Sequence, residues 1–192
     1  MEKLIAYVNP RGPLPAIAGT KSGPLLIIGS GAGVWQDLEK YQHQGDRMAI
    51  NDMMNYFPGQ LQHGVTLHEA KLPMWTFNQA WEGSKGGWPP MQTHSHQPSH
   101  YVRHVWPLVR DGGTGGLFGA FIGLLMGYER IILAGTPCDD SPRFFDPPWK
   151  LHAQFGLETV HQEWQRVRDE VPLFKERVRS LSGNTAKWLG TP

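Results

Sequence analysis

The first strong apolar run in the chain is Leu25-Leu26-Ile27-Ile28. Four consecutive apolar positions fit a strand buried on both faces, as in a parallel sheet covered by helices on each side. The run ends in Gly29-Ser30-Gly31-Ala32-Gly33, and the pattern after it predicts an amphipathic helix from about Val34 to Tyr41. Arg47 to Asn51 and Val65 to His68 read as the next two strands, and Leu4 to Val8 as a short strand ahead of them. Pro10, Gly12, Pro13 and Pro15 break regularity, so a loop is expected up to Gly23. Strand and helix therefore alternate through the first third of the chain, the signature of an α/β fold.

The stretch 73–112 shows no helical period. It carries Trp75, Trp81, Trp88 and Trp106 and reads as a long, ordered, functional loop insertion with a short strand near Tyr101 to Trp106. Asp111-Gly112-Gly113-Thr114-Gly115-Gly116 then opens a helix to about Met126, which Gly127-Tyr128 caps, and Ile131 to Gly135 is another buried strand. Gly115, Gly119, Gly123 and Gly127 recur every four residues along that helix. An interior glycine costs roughly 1 kcal/mol relative to alanine. The compensation expected is close backbone approach to the sheet or to a ligand-bearing loop. A second ordered loop, 136–149, is followed by a helix from about Leu157 to Val171, a strand region from Phe174 to Ser180 and a closing helix from Asn184 to Leu189. With no repeat and no linker, the reading is one α/β domain over residues 1–192, with a mostly parallel sheet, helices on both faces and long ordered loops.

Composition sharpens this. The 192 residues include 23 Gly, 16 Pro and 8 Trp, against only 18% charged residues. Low charge with abundant tryptophan excludes wholesale disorder, and the absence of a G-X-Y period excludes collagen. A formal net charge of +1 gives no electrostatic case for duplex binding. The single cysteine, Cys138, excludes a disulfide framework and a thiolate zinc site. Met1 to Val8 is too short for a signal peptide, and the apolar run Leu117 to Gly127 falls well below the roughly 20 residues of a membrane span. A cytoplasmic protein is expected.

The candidate chemistry sits in the loops. Gly29 to Gly33 joins a strand to a helix, where backbone N–H groups and the helix N-terminus face an anion. The dinucleotide fingerprint G-x-G-x-x-G fails, because Val34 stands where the third glycine belongs. Gly19-Thr20-Lys21-Ser22 likewise lacks the P-loop order. What remains is phosphate or nucleotide binding by another geometry, or a tight turn alone. Gly113-Thr114-Gly115 is a second glycine turn, with Thr114 a natural helix cap. Ligands in open α/β sheets collect outside the carboxyl ends of the strands, where Gly29, Asn51, His68 and Gly135 should lie. His94, His96, His100 and His104, with Trp88, are candidates for a loop that contacts substrate; their spacing matches no closed metal site. Asp139, Asp140 and Asp146 are candidates for Mg²⁺ beside a diphosphate, or for plain solvation. Cys138 beside two acids is a poor nucleophile. His152 and His161 are candidate general bases, with packing the alternative for His161.

Four blocks carry a resemblance. Thr114-Gly115-Gly116-Leu117 through Met126-Gly127-Tyr128-Glu129-Arg130-Ile131-Ile132-Leu133-Ala134-Gly135, followed by Phe144-Phe145-Asp146, is similar to the nucleotide-binding core of the Campylobacter-type sialyltransferases and the MptE-like (DUF115) proteins. Leu26-Ile27-Ile28-Gly29-Ser30-Gly31 resembles their first strand and turn, and Met48-Ala49-Ile50-Asn51 their second strand, which ends in an Asn on the nucleotide. Val178 to Asn184 looks like their late turn. Short chains of this pattern are frequent in phages, so the resemblance implies a phage-type member. It further implies a Rossmann-like domain that binds a nucleotide or sugar nucleotide through Gly29, Ser30, Gly31, Gly33, Asn51, Thr114, Gly115, Gly116 and Gly135. The activity implied is glycosyl transfer to an acceptor hydroxyl deprotonated by a histidine, the acceptor being a modified DNA base or a glycan. The alternatives are a Mg²⁺-dependent pyrophosphokinase-type transferase and a non-catalytic nucleotide-sequestering phage protein. The chain departs from the family where Thr136 replaces the Asp after the last-strand glycine, and where Ala32 replaces a proline.

Overall fold

The computed structural model describes residues 1–150 and 156–192. They form a Rossmann-like α/β fold on one seven-stranded sheet, in the order β5-β4-β3-β2-β1-β6-β7. The strands are β1 (Pro24–Ile28), β2 (Asp46–Ile50), β3 (His63–Val65), β4 (Gln92–Ser95), β5 (His104–Val105), β6 (Arg130–Ala134) and β7 (Val178–Ser180). Every pairing is parallel. The chain builds outward from β1 to β5, then returns to the other side of β1 to lay down β6 and β7. The reversal point is therefore the seam between β1 and β6.

Both faces of the sheet are covered. Leu25 and Ile27 of β1 point into one core with Phe118, Phe121 and Trp164, whereas Leu26 and Ile28 point into the other with Val34, Met53, Leu72 and Trp75. The first face carries α1 (Glu2–Val8), α5 (Gly115–Met126), α6 (Leu157–Glu170), α7 (Pro172–Arg177) and α8 (Gly183–Leu189); the second carries α2 (Val34–Lys40), α3 (Met53–Tyr56) and α4 (Leu72–Gly86). Helix α5 is buried from Leu117 to Met126. Its glycine stripe lets it lie flat on the strands. A Cβ on Gly119 would sit 3.3 Å from Val65 Cγ1, and one on Gly123 would sit 2.9 Å from Leu25 Cδ2 and 2.8 Å from Ile131 Cδ1. Among the described residues no helix is long and apolar enough to cross a membrane.

The fold corrects several expectations. Leu4 to Val8 belongs to helix α1, because Leu4, Tyr7 and Val8, at helical spacing, are the positions that go inside. Strand β3 runs from His63 to Val65, earlier than Val65 to His68. Residues 73–112 are not a loop but hold most of α4 and both strands that extend the sheet. Leu72, Trp75, Gln79 and Gly83 form the buried side of α4, while Met74, Phe77 and Trp81 on its other side are exposed and apolar. Apolar residues on both sides erase the helical period. Of the strand region expected from Phe174 to Ser180, Phe174 to Arg177 belong to α7 and Val178 to Ser180 to β7; Pro172 opens α7, a first-turn position that suits a residue without an N–H.

Strand β4 escaped notice because it is polar. Its His94 is buried in a chain of side chains whose proton positions follow from chemistry. The Trp106 indole, which can only donate, gives its N–H to His94 Nδ1 at 3.0 Å. His94 therefore carries its proton on Nε2, 3.0 Å from His63 Nδ1. His63 in turn donates from Nε2 to the Tyr128 hydroxyl at 2.9 Å. Tyr128 donates to Asp46 Oδ2, which also receives Lys21 Nζ at 3.0 Å. The chain ties β2, β3, β4 and the start of β6 together through neutral imidazoles. Burial lowers the pKa of His63 to about 4 and holds that of His94 well below the ordinary imidazole value.

Above about pH 6.5 both imidazoles are neutral whether the chain is folded or not. As pH falls from there toward 4, the unfolded chain binds protons that the folded one rejects, so stability drops. The loss from His63 alone should be on the order of 3 kcal/mol by pH 4. Denaturant unfolding followed from pH 7 to 4 should show this slope, and His63→Gln should flatten it. A wild-type stability independent of pH across that window would contradict the network.

Candidate functional site

The seam between β1 and β6 ends in two glycines that face each other. Gly29 N–H donates to Ala134 O at 2.8 Å, and Gly31 N–H donates to Gly135 O at 2.9 Å. A Cβ on Gly29 would stand 2.5 Å from Gly135 O, and one on Gly135 would stand 2.6 Å from Gly29 O. Gly135 also has φ +59°, a backbone state that L side chains rarely adopt. Asp37 of α2 clamps the approach. Its buried Oδ2 accepts the Gly135 N–H at 2.9 Å and the Ser182 hydroxyl at 2.6 Å.

Around this seam opens a cleft of about 170 Å³. Gly29, Ser30 and Gly31 form one wall, Gly135 to Asp139 with Ser141 and Arg143 a second, and Asn51 with Thr114, Gly115 and Gly116 a third. Asn51 sits at the tip of β2 with φ +49°, while its N–H holds Val65 O at 3.1 Å. Its Oδ1 is buried without a partner among the described residues. Thr114 caps α5, accepting the Leu117 N–H on Oγ1 at 3.3 Å. Gly115 is required there, since a Cβ would lie 2.6 Å from Ile50 Cγ2. The first amides of α5 thus face the cleft without intrahelical acceptors.

The 136–149 loop is ordered by contact with the glycine turn. Phe144 N–H donates to Ser30 O at 3.0 Å. Phe144 packs edge-on against Trp35 and Tyr56, and Phe145 stacks on Tyr56 at 4.8 Å. Arg143 bridges Asp52 at 2.9 Å and Asp146 at 2.8 Å. Cys138 is buried, and burial, with Asp139 beside it, pushes its thiol up to about 12. It is protonated and inert at neutral pH.

Eight of the nine residues assigned to nucleotide binding line the cleft; Gly33 does not, and instead starts α2. His152 lies outside the described residues. His161 is on α6, donating from Nε2 to Cys138 O at 2.8 Å and packed edge-on against Trp188. The set His94, His96, His100, His104 and Trp88 is not brought to the cleft. His94 is in the core network, and His104 stacks on it at 5.0 Å. His96 stands edge-on to Phe118. His100 and Trp88 line a separate cavity of about 620 Å³ between α4 and the β4 edge, which shares no wall with the cleft. The three aspartates do not fit a Mg²⁺ site. Asp139 is occupied by the Ser141 N–H and hydroxyl, and Asp146 by Arg143 and Lys150, which hold its pKa far below the usual carboxylate range. Among the described residues no three His, Cys, Asp or Glu converge.

Sequence reasoning missed Asp37, Thr136, Arg143 and Trp164. Asp37 had a signal: it stands with Val34, Leu38 and Tyr41 on the apolar side of α2, where a lone carboxylate requires partners. Trp164 shares one side of α6 with Val160 and Val167, a spacing that points to core, which it also is.

The chain matches no family model and no curated protein sequence. Its fold matches solved structures. The sialyltransferase CstII from Campylobacter jejuni, in complex with the substrate analogue cytidine-5'-monophosphate, superposes with a TM-score of 0.56 at 14% identity, over 88% of this chain and 84% of that one. The same enzyme with CMP-3FNeuAc gives a TM-score of 0.54 at 11% identity, over 88% of each chain. The apo alpha-2,3-sialyltransferase from Campylobacter jejuni gives 0.55 at 12%, over 94% of this chain and 84% of that one.

Asp37→Ala leaves the buried Gly135 N–H without its acceptor. It should lower unfolding free energy by roughly 2–4 kcal/mol, against less than about 0.5 for Asp169→Ala on the surface. Equal denaturation midpoints for the two variants would show that Asp37 is not the clamp.

Proposed function

We propose that the protein is a glycosyltransferase-like enzyme that takes a sugar nucleotide in the cleft at the β1–β6 seam. The observation that carries this reading is the coincidence of two glycine turns, the start of α5 and the strained Asn51 at the reversal point of a parallel sheet. Ligands of such folds bind at this point. The structures that share the fold include two with a cytidine nucleotide or its sugar analogue.

The chemistry follows from the walls. The amides at the start of α5 and the glycine turn after β1 receive the phosphate, while Asn51 Oδ1 accepts a hydrogen bond from the nucleoside. A histidine takes the proton of an acceptor hydroxyl. The acceptor oxygen attacks the sugar's anomeric carbon, the bond to the phosphate oxygen breaks, and the nucleotide leaves with that electron pair. His152 and His161 are the candidates for the base. His161 uses Nε2 to hold Cys138 O, which leaves Nδ1 for the proton. The acceptor is a hydroxyl compound, a glycan or a modified base of phage DNA.

A second reading, nucleotide binding without turnover, draws on one observation. No histidine is among the described residues lining the cleft. The two readings share the cleft and part at the acceptor.

Thermal unfolding with CMP, UDP, GDP, ATP and a CMP-sugar tests the cleft that both readings share, and nucleotide release from the bound sugar nucleotide on adding hydroxyl acceptors separates them. A ligand at about 100 times its Kd stabilises by roughly 2.7 kcal/mol, which should raise Tm by roughly 5–10 °C. Asn51→Ala and Thr114→Ala should abolish that rise. Thr114→Ala should also lower the ligand-free Tm, since a lost cap costs about 1 kcal/mol. Absence of a rise with every nucleotide would sink the proposal. A rise without turnover would leave only the second reading.

A further inference from the structure

Three buried polar atoms near the cleft lack partners among the described residues: Asn51 Oδ1, Thr136 Oγ1 and Trp164 Nε1. Orphaned groups of this kind are rare in folded proteins and costly. Here they gather at one place. Trp164 is only 2% exposed, yet it lines the cleft. Its Cζ2 would be 3.5 Å from a Cβ on Gly116, and the Thr136 methyl would be 3.7 Å from the same point. Nε1 and Cζ2 are bonded to the same ring carbon, so the N–H lies on the edge of the indole turned toward Gly116. The Trp164 N–H therefore flanks the first turn of α5, where the Gly115 and Gly116 amides are also free, and Thr136, another lining residue of the cleft, carries its unpartnered hydroxyl on the same Cβ as that methyl.

We infer that Trp164 and Thr136 are phosphate-binding residues: the Trp164 N–H and the Thr136 O–H, with the two α5 amides, hold the nucleotide phosphate next to the sugar. The inference deepens the sugar-nucleotide reading and rests on it for the nucleotide, though not for the phosphate. The chemistry selects an anion with several acceptor atoms. An indole N–H only donates, the threonine hydroxyl is free to donate, and helix amides only donate. The partial positive charge at the start of α5 adds to the attraction. A neutral base or ribose edge, which presents donors as well as acceptors, does not match this set. Asn51 Oδ1 is the one pure acceptor among the three and suits a nucleoside hydroxyl or amine.

The test uses the full chain with CMP, cytidine and inorganic phosphate as probes. Calorimetric titration of CMP into Trp164→Phe and Thr136→Val should show affinity reduced about 10- to 100-fold and about 10-fold, while cytidine binding changes less than twofold. In ¹H–¹⁵N spectra, the indole resonance that vanishes in Trp164→Phe should shift in wild type on adding CMP and stay in place with cytidine. Should Trp164→Phe fold poorly, Thr136→Val and the wild-type indole shift carry the test. Unchanged CMP affinity in Thr136→Val with an unmoved indole would overturn the inference and leave the nucleotide reading standing. An indole moved equally by cytidine would overturn it as well. If wild type bound no nucleotide but phosphate still moved the indole, the phosphate site would stand and the nucleotide reading would fall. An indole moved by neither would end the inference.

Discussion

Neither β1 nor β6 can be followed directly by a residue with a side chain. Gly29 and Gly135 approach until the carbonyl of each occupies the space a Cβ would need on the other. The rest of the site depends on this contact. It brings the two turns close enough for Gly31 N–H to reach Gly135 O, and it sets the 136–149 loop against Ser30. Close approach strips water from backbone groups, which then need other partners. Asp37 supplies one of them. A single buried carboxylate ties the exit of β6 and the Ser182 turn, before α8, to α2.

The same logic governs α5. Its glycines are unfavourable in a helix, but they let the helix axis settle onto four strands. The consequence at its other end is functional. A helix that lies this low delivers its first turn beside the tip of β2, against Asn51. The seam and the low helix thus produce one concave surface lined by backbone donors, with the aromatic cluster of Trp35, Tyr56, Phe144 and Phe145 beside it. At the far strands, where no such surface forms, the fold is held by a polar chain instead. Trp106, His94, His63, Tyr128 and Asp46 align their protons in one direction and substitute for apolar packing.

The parts of this arrangement that repeat a period or break a chain were legible in the sequence. The runs 25–28 and 131–134, the two glycine turns and the stripe in α5 all announced themselves, and they located the cleft. Other parts depend on partners distant in sequence. His94 reads as a surface or ligand histidine until Trp106 and His63 are placed beside it. Helix α4 hid because apolar residues on its exposed side blurred its period, and with it went the expectation that 73–112 is a loop that contacts substrate. Helix α1 hid because five residues of Leu4 to Val8 suit either period. Trp164 is both core and cleft wall, and no pattern separates those roles.

The central claim is that the β1–β6 seam, and not the larger cavity beside α4, receives the nucleotide. A crystal structure with CMP bound tests it most directly. The account predicts ordered density for the ligand against Gly29, Gly31, Asn51, Gly115 and Gly135, with the phosphate at the start of α5. Density between Trp88, Tyr101 and Arg103, with the seam left to water, would contradict it.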